Sequence, residues 1–256
     1  MTLTDALPAD LERRFGGLRR LYGDAGYAKV RAARIAVVGL GGVGSWAVEA
    51  LARSGVAALT LIDLDHVAES NINRQVQALG STLGMAKAQA LAERVRDIHP
   101  ACRVHSVEAF VDADNWPGLL GEPVDVVIDA CDEASAKFTL AAWATVAGAS
   151  LIVVGAAGGK RAPQAVRVDE LANVTHDPLL ASLRRRLRLS TPAPRDGGFG
   201  LVCVHSREPV QRGEADAQFD ASLNCHGYGS SVSVTATFGM VAAAEALRSV
   251  LEREPG

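Results

Sequence analysis

Aromatic side chains are scarce in this chain: Phe, Trp and Tyr make up 5% of its 256 residues, while Ala, Val, Leu and Gly are plentiful. Small aliphatic residues suit helices packed closely on a parallel sheet and argue against a β-sandwich. Paired cysteines are also lacking. Cys102, Cys131, Cys203 and Cys225 are widely spaced, with no CxxC, so no structural zinc is expected and reduced thiols in a cytoplasmic protein are predicted. The first residues are polar and charged, without the apolar core of a signal peptide. The longest apolar stretch, Val232 to Leu247, carries Glu245. It falls short of the ~20 apolar residues a membrane span needs. It reads as a buried helix, and no membrane insertion is expected. Net charge is only −3, so a nucleic-acid partner would have to be met by a local basic patch. Internal repeats and low-complexity tracts are absent from the sequence.

What is present is an alternation of short apolar runs and helical spacing. Strands are predicted at Arg34–Gly39, Leu59–Asp63, Arg103–Val107, Val124–Asp129 and Leu151–Gly155. Helices are predicted at Gly41–Arg53, Gly84–Ile98 and Ala134–Ala147, with a polar loop over 64–83. Apolar strands separated by helices imply a Rossmann-like α/β fold, a mostly parallel sheet with helices on both faces. Regularity weakens after Gly159. A strand over Gln164–Val168, a basic helix over Asp177–Leu189, a strand over Leu201–His205 and a closing helix over Ser230–Glu252 extend the sheet as a C-terminal α+β portion. The expected organisation is one domain over 1–256. It comprises a helical arm (1–30), a nucleotide-binding core (31–160) and an extension (161–256) with a loop near 190–220.

The run Gly39-Leu40-Gly41-Gly42-Val43-Gly44 is a GxGxxG on a strand-to-helix turn. Glycines there let backbone N–H groups approach phosphate oxygens at a helix N-terminus. Asp63 ends the next strand, where an acid accepts hydrogen bonds from ribose hydroxyls. These features alone specify a nucleotide with a diol. Discrimination comes from the next segment: Asp65, Ser70, Asn71, Asn73, Arg74 and Gln75, then Lys87 on the following helix. Hydride transfer has no use for Arg and Lys converging on further negative charge, whereas a triphosphate does. Asp129 ends the fourth strand at the edge where ligands of open α/β sheets sit, so it is the candidate magnesium ligand and catalytic acid. Asp132, just beyond, is expected to cap the helix at Ala134.

Taken together, strand-GxGGVGS, DxDxVxxSNxxRQ, GxxKA and a strand ending in DAxD resemble the E1-like family of ATP-dependent adenylating enzymes, over roughly residues 10–160. The resemblance implies that Gly39, Gly41, Gly42, Val43 and Gly44 cradle phosphates and that Asp63 holds the ribose, with Asp65 and Gln75 nearby. It places Asn71, Arg74 and Lys87 on the triphosphate, and Asp129 with Mg2+ on ATP. It further implies a homodimer in which an N-terminal Arg enters the partner's ATP site. Arg14 and Arg20 are the candidates, although Gly17 stands where the second Arg of the family's RxxR is expected.

Within that family, RRFGGLRRLYG (Arg13 to Gly23), GAAGGK (Gly155 to Lys160), DPLLASLRRRLR (Asp177 to Arg188) and NCHGYGSSVSVTATFGM (Asn224 to Met240) are similar to the branch acting on threonylcarbamoyladenosine in tRNA. The likeness departs around residues 190–220. The branch dehydrates that group beside the anticodon by activating its carboxylate with ATP. Lys160, Arg161, Arg184, Arg185, Arg186 and Arg188, with Arg195 near them, are then either the contacts for the tRNA anticodon stem-loop or a solvated basic helix face. The alternative is adenylation of a ubiquitin-like sulfur carrier, with sulfur-transfer proteins as partners. Relatives of that kind commonly carry paired CxxC motifs, which this chain lacks. Cys225 and His226 read as structural, and Cys131 as packing under the nucleotide. Asp129→Ala is expected to keep the fold and lose ATP turnover.

Overall fold

A computed structural model describes residues 9–190, 198–210 and 228–253. Seven strands form one sheet in the order β3-β2-β1-β4-β5-β7-β6. In chain order they are β1 Arg34–Val38, β2 Ala58–Ile62, β3 Arg103–Val107, β4 Val126–Asp129, β5 Leu151–Val154, β6 Val166–Glu170 and β7 Val202–Ser206. Every neighbour pair is parallel except β6 with β7. The helices are α1 Leu11–Ala32, α2 Gly44–Arg53, α3 Lys87–Ile98, α4 Ala134–Ala147, α5 Pro178–Ser190 and α6 Val232–Glu252.

The central strands are apolar on both sides because both faces are covered. Ile35 and Val37 of β1 meet the layer holding Leu51 of α2, Leu91 of α3 and Phe238 of α6. Ala36 and Val38 meet the opposite layer, with Leu140 of α4 and Leu183 of α5. The Val232–Leu247 stretch lies inside α6, whose 21 residues are long and apolar enough to cross a membrane. Half of its most apolar window is buried in the fold. Gly239 explains the tight docking: a Cβ there would stand 2.4 Å from the Val43 carbonyl oxygen and 2.8 Å from Trp46 Cβ. Through this contact α6 backs the glycine turn itself.

Element identities follow the sequence expectations, and the differences lie at ends. α2 starts at Gly44 and α3 at Lys87, each three residues later than the spacing suggested. Gly84 has φ +82°, a left-handed value outside a helix. Residues 163–165 form a single 3-10 turn, which delays β6 to Val166. Asp132 does not cap α4: Glu133 does, its carboxylate accepting from the Ala136 N–H at 2.7 Å. Most of the expected loop near 190–220 lies outside the described residues, as do Arg195, Cys225 and His226.

Candidate functional site

Strand order reverses between β1 and β4: β1 leads outward through β2 to β3, and β4 leads the other way. In open α/β sheets the crevice at such a reversal, at the strands' carboxyl ends, is the binding position. Asp129 pairs in register with Val38, and Gly39 follows Val38 directly. The glycine turn and the predicted acid therefore meet at this crevice.

Each glycine in the turn has its own reason. Gly39 has φ +84°, and a Cβ there would lie 2.7 Å from the Cys131 amide nitrogen. Gly44 is tighter still, its added Cβ falling 1.8 Å from the Gly39 carbonyl oxygen. At Gly42 the neighbours are Arg74 Cγ and Thr235 Cγ2, both at 3.2 Å, which sets Arg74 beside the turn. Gly41 meets nothing within 4 Å. Open space above one glycine is what a close-approaching phosphate needs. Val43 stands at the N-cap of α2 without a side-chain cap, and the helix has no acid in its first turn. Its positive dipole end is left for an external anion.

Asp63 anchors the next element. Its Oδ2 accepts from Leu40 N–H at 2.6 Å and its Oδ1 from Asp65 N–H at 2.8 Å. Burial pushes its carboxyl upward, against the pull of Lys87 and of those two amides. Lys87 is buried and pairs with Asp65 at 2.7 Å. Asn71 accepts from Ala68 N–H through its side-chain oxygen, which leaves its amide N–H groups as donors. Arg74 donates to Ser70 O and Asn73 Oδ1, and Gln75 is buried, accepting from Gln77 Nε2. The 64–83 loop is thus a tied scaffold. It delivers Arg74 to the glycine turn and Lys87 to the Asp63–Asp65 corner.

Asp129 is fully buried, and its partners were not foreseen. Cys131 donates to Oδ1 through its N–H at 3.2 Å and its thiol at 2.8 Å. Burial, followed by the Asp129 charge, pushes that thiol well up. Lys137 Nζ lies 2.8 Å from Oδ2 and donates to the Val154 carbonyl at 3.0 Å. Burial is the largest influence and pulls the fully enclosed ammonium down, but the charge and hydrogen bond of Asp129 together with the other acidic groups nearby outweigh it, and the net direction is up. Oδ2 sits beside the ammonium without a well-directed hydrogen bond, so it keeps acceptor capacity. The sequence did carry one signal for Lys137: it is the single charged residue in ASAKFTLAAWATVA.

The expected tRNA contacts divide. Lys160 is a correction: it is buried, donating to the Ser206 and Glu208 carbonyls, so it braces the β5–β7 corner instead of facing solvent. Arg184 and Arg186 are half-buried and corrected likewise, because Arg184 donates to Leu171 O and Val174 O and Arg186 to Ala134 O. Arg161, Arg185 and Arg188 are exposed. Arg14 is exposed but engaged: its Nη1 donates to the Asp97 and Ile98 carbonyls at the end of α3. That engagement within its own chain argues against a reach across a dimer. Arg20 is exposed on α1.

Among the described residues no group of three or more His, Cys, Asp or Glu side chains is placed to hold a metal. A lone buried acid is nonetheless a fitting donor for magnesium, which is bound by one or two carboxylates together with substrate phosphates.

Known proteins resemble this chain over nearly its whole length. The chain is 41% identical over 253 residues to tRNA threonylcarbamoyladenosine dehydratase of Escherichia coli K12, covering 94% of each chain. It is 38% identical over 249 residues to the enzyme of that name from Haemophilus influenzae, covering 95% of each. The structure of the E. coli dehydratase in complex with ATP superposes with a TM-score of 0.86, covering 96% of this chain and 97% of that one. The ThiF family profile matches residues 14–256. By this match and these relatives, the chain belongs to the ThiF family.

Proposed function

We propose that the chain is an ATP-dependent enzyme that dehydrates the threonylcarbamoyl group of threonylcarbamoyladenosine in tRNA. The observation that carries this reading is the nearly end-to-end likeness to the E. coli dehydratase. The crevice between β1 and β4 supports it from the residues upward.

A carboxylate is a poor electrophile because oxide is its leaving group. In the proposed reaction the substrate carboxylate attacks a phosphorus of ATP and expels pyrophosphate or ADP, giving an acyl-adenylate or acyl-phosphate. The tethered carbamoyl group then attacks the acyl carbon, AMP or phosphate departs, and the ring closes with net loss of water. Tethering supplies an effective molarity of about 10⁵ M or more, so no protein nucleophile is required. The enzyme's work is to clamp and neutralise. The α2 N-terminus and the open position over Gly41 receive phosphate oxygens. Asp63, already oriented by two backbone amides, accepts from the ribose. Arg74 and the Asn71 amide face the outer phosphates, and Lys87 exchanges part of its pairing with Asp65 for phosphate charge. Asp129 would hold magnesium, which when bound offsets the charge that gathers on the leaving phosphate. The protein works as a homodimer in which Arg20 is the cation offered to the partner's site.

The decisive measurement is mass spectrometry of tRNA nucleosides after incubation with enzyme and ATP. The threonylcarbamoyl nucleoside should lose one water with ATP and remain intact with a non-hydrolysable analogue. An unaltered nucleoside under turnover conditions would sink the reading, and capture of adenylate on a small protein ending in Gly-Gly would replace it.

Exposure divides the basic run of α5 into two kinds of residue. Arg185→Glu with Arg188→Glu should raise KM for tRNA roughly tenfold at low salt, with a smaller effect at high salt and little change in kcat. Substitution of Arg184 or Arg186 should instead lower Tm. Salt-independent KM values in the Arg185/Arg188 variant would remove this face from the tRNA surface.

A further inference from the structure

Lysine is rare in this chain, with four residues: Lys29, Lys87, Lys137 and Lys160. Lys137 stands in the least hospitable position of the four. It is fully buried in the first turns of α4, on a face otherwise made of Ala136, Leu140, Ala141 and Ala144. A cation near a helix N-terminus opposes the helix dipole. A buried ion pair seldom stabilises a core more than apolar side chains of the same volume would. Stability alone is therefore a weak reason for an ammonium here.

Geometry supplies a stronger one. The Lys137 side chain runs from α4 to the carboxyl ends of two adjacent strands, reaching Asp129 Oδ2 on β4 at 2.8 Å and the Val154 carbonyl on β5 at 3.0 Å. The opposite oxygen, Oδ1, takes only the Cys131 amide and thiol, and a thiol is a weak donor that a cation readily displaces. From these contacts we infer that Lys137 is the positioning residue for Asp129. Its ammonium pins one carboxylate oxygen against the ends of β4 and β5 and so fixes the orientation in which the acid meets the nucleotide's cation. The inference rests on the magnesium role proposed above for Asp129.

Four lysines make a direct test practical. In protein labelled with ¹⁵N at lysine Nζ, each ammonium is assigned by substituting the others, so Lys137 is identified by elimination even if its own variants do not fold. The probe is a methylene analogue of ATP, added first with chelator and then with magnesium. Lys87 should respond to the analogue alone, and the Lys137 signal should shift only when magnesium is added. Calorimetry on the same samples separates two failures. No analogue binding would overturn the proposed function, whereas binding with a Lys137 signal indifferent to magnesium would overturn this inference alone. In parallel, Lys137→Met, assayed at a temperature where it is folded, should lose about 100-fold in kcat, the scale of a 1 Å misplacement, with KM for ATP within about threefold of the parent. A folded Lys137→Met enzyme with the parental kcat would reduce the residue to a structural brace.

Discussion

Asp129→Asn should lose ATP turnover by about a thousandfold or more, the scale at which preorganised charge at a phosphoryl centre contributes, while binding of ATP without magnesium falls by no more than a few fold. The structure adds a second consequence that the residue type alone did not reveal. Lys137 is fully buried 2.8 Å from this carboxylate, so the amide leaves an ammonium enclosed without its counter-charge. Breaking a buried pair in this way costs about 3–5 kcal/mol, and in a chain of this size each kcal/mol moves Tm by about 2–4 °C. The expectation of an unharmed fold for Asp129→Ala is revised accordingly. The informative partner is Asp129→Asn/Lys137→Met, which removes both charges. It should recover most of the lost Tm and none of the turnover. Scanning calorimetry and a phosphate or pyrophosphate release assay on the two variants decide the matter. Parental turnover in Asp129→Asn would remove the acid from the mechanism.

The glycine turn offers the second large effect, through a pair of substitutions that each add one methyl group, three positions apart. Gly44→Ala places its Cβ 1.8 Å from the Gly39 carbonyl oxygen, a backbone atom with nowhere to go. The turn must open, and both stability and ATP affinity should fall, by about 3 kcal/mol and about 100-fold respectively. Gly41→Ala meets nothing within 4 Å, so its Tm should stay within about 1–2 °C of the parent. Its ATP affinity should nonetheless fall at least tenfold, because the methyl occupies the space assigned to a phosphate. Isothermal titration with ATP and a thermal melt on each variant suffice. Tight ATP binding by Gly41→Ala would show that phosphate lies elsewhere.

How far these readings were available from the sequence varies by kind. Asp63 and Asp129 were legible because each closes a short apolar strand, and the carboxyl ends of parallel strands share one edge of the sheet. The turn was legible because Gly39, Gly41 and Gly44 stand at the spacing a strand-to-helix bend requires. The cap of α4 was misplaced by one residue, since Asp132 and Glu133 are equally plausible acceptors until backbone direction selects Glu133. The basic run of α5 was read as one surface, yet helical rotation turns Arg184 and Arg186 onto neighbouring carbonyls and leaves Arg185 and Arg188 outside. Arg14 was read as reaching outward, and it caps α3 instead.

By itself the sequence determined the architecture and the chemistry gathered at its edge: alternating apolar runs build the covered parallel sheet, and glycines and acids at run ends mark the edge proposed to take the nucleotide. Tertiary structure alone decided which charges are spent internally. Lys137 on Asp129 and Val154, Lys160 on Ser206 and Glu208, and Lys87 on Asp65 each join different elements. The physical reason is that periodicity reports the face a residue occupies, whereas the worth of a charge depends on what stands opposite it across the packed layers.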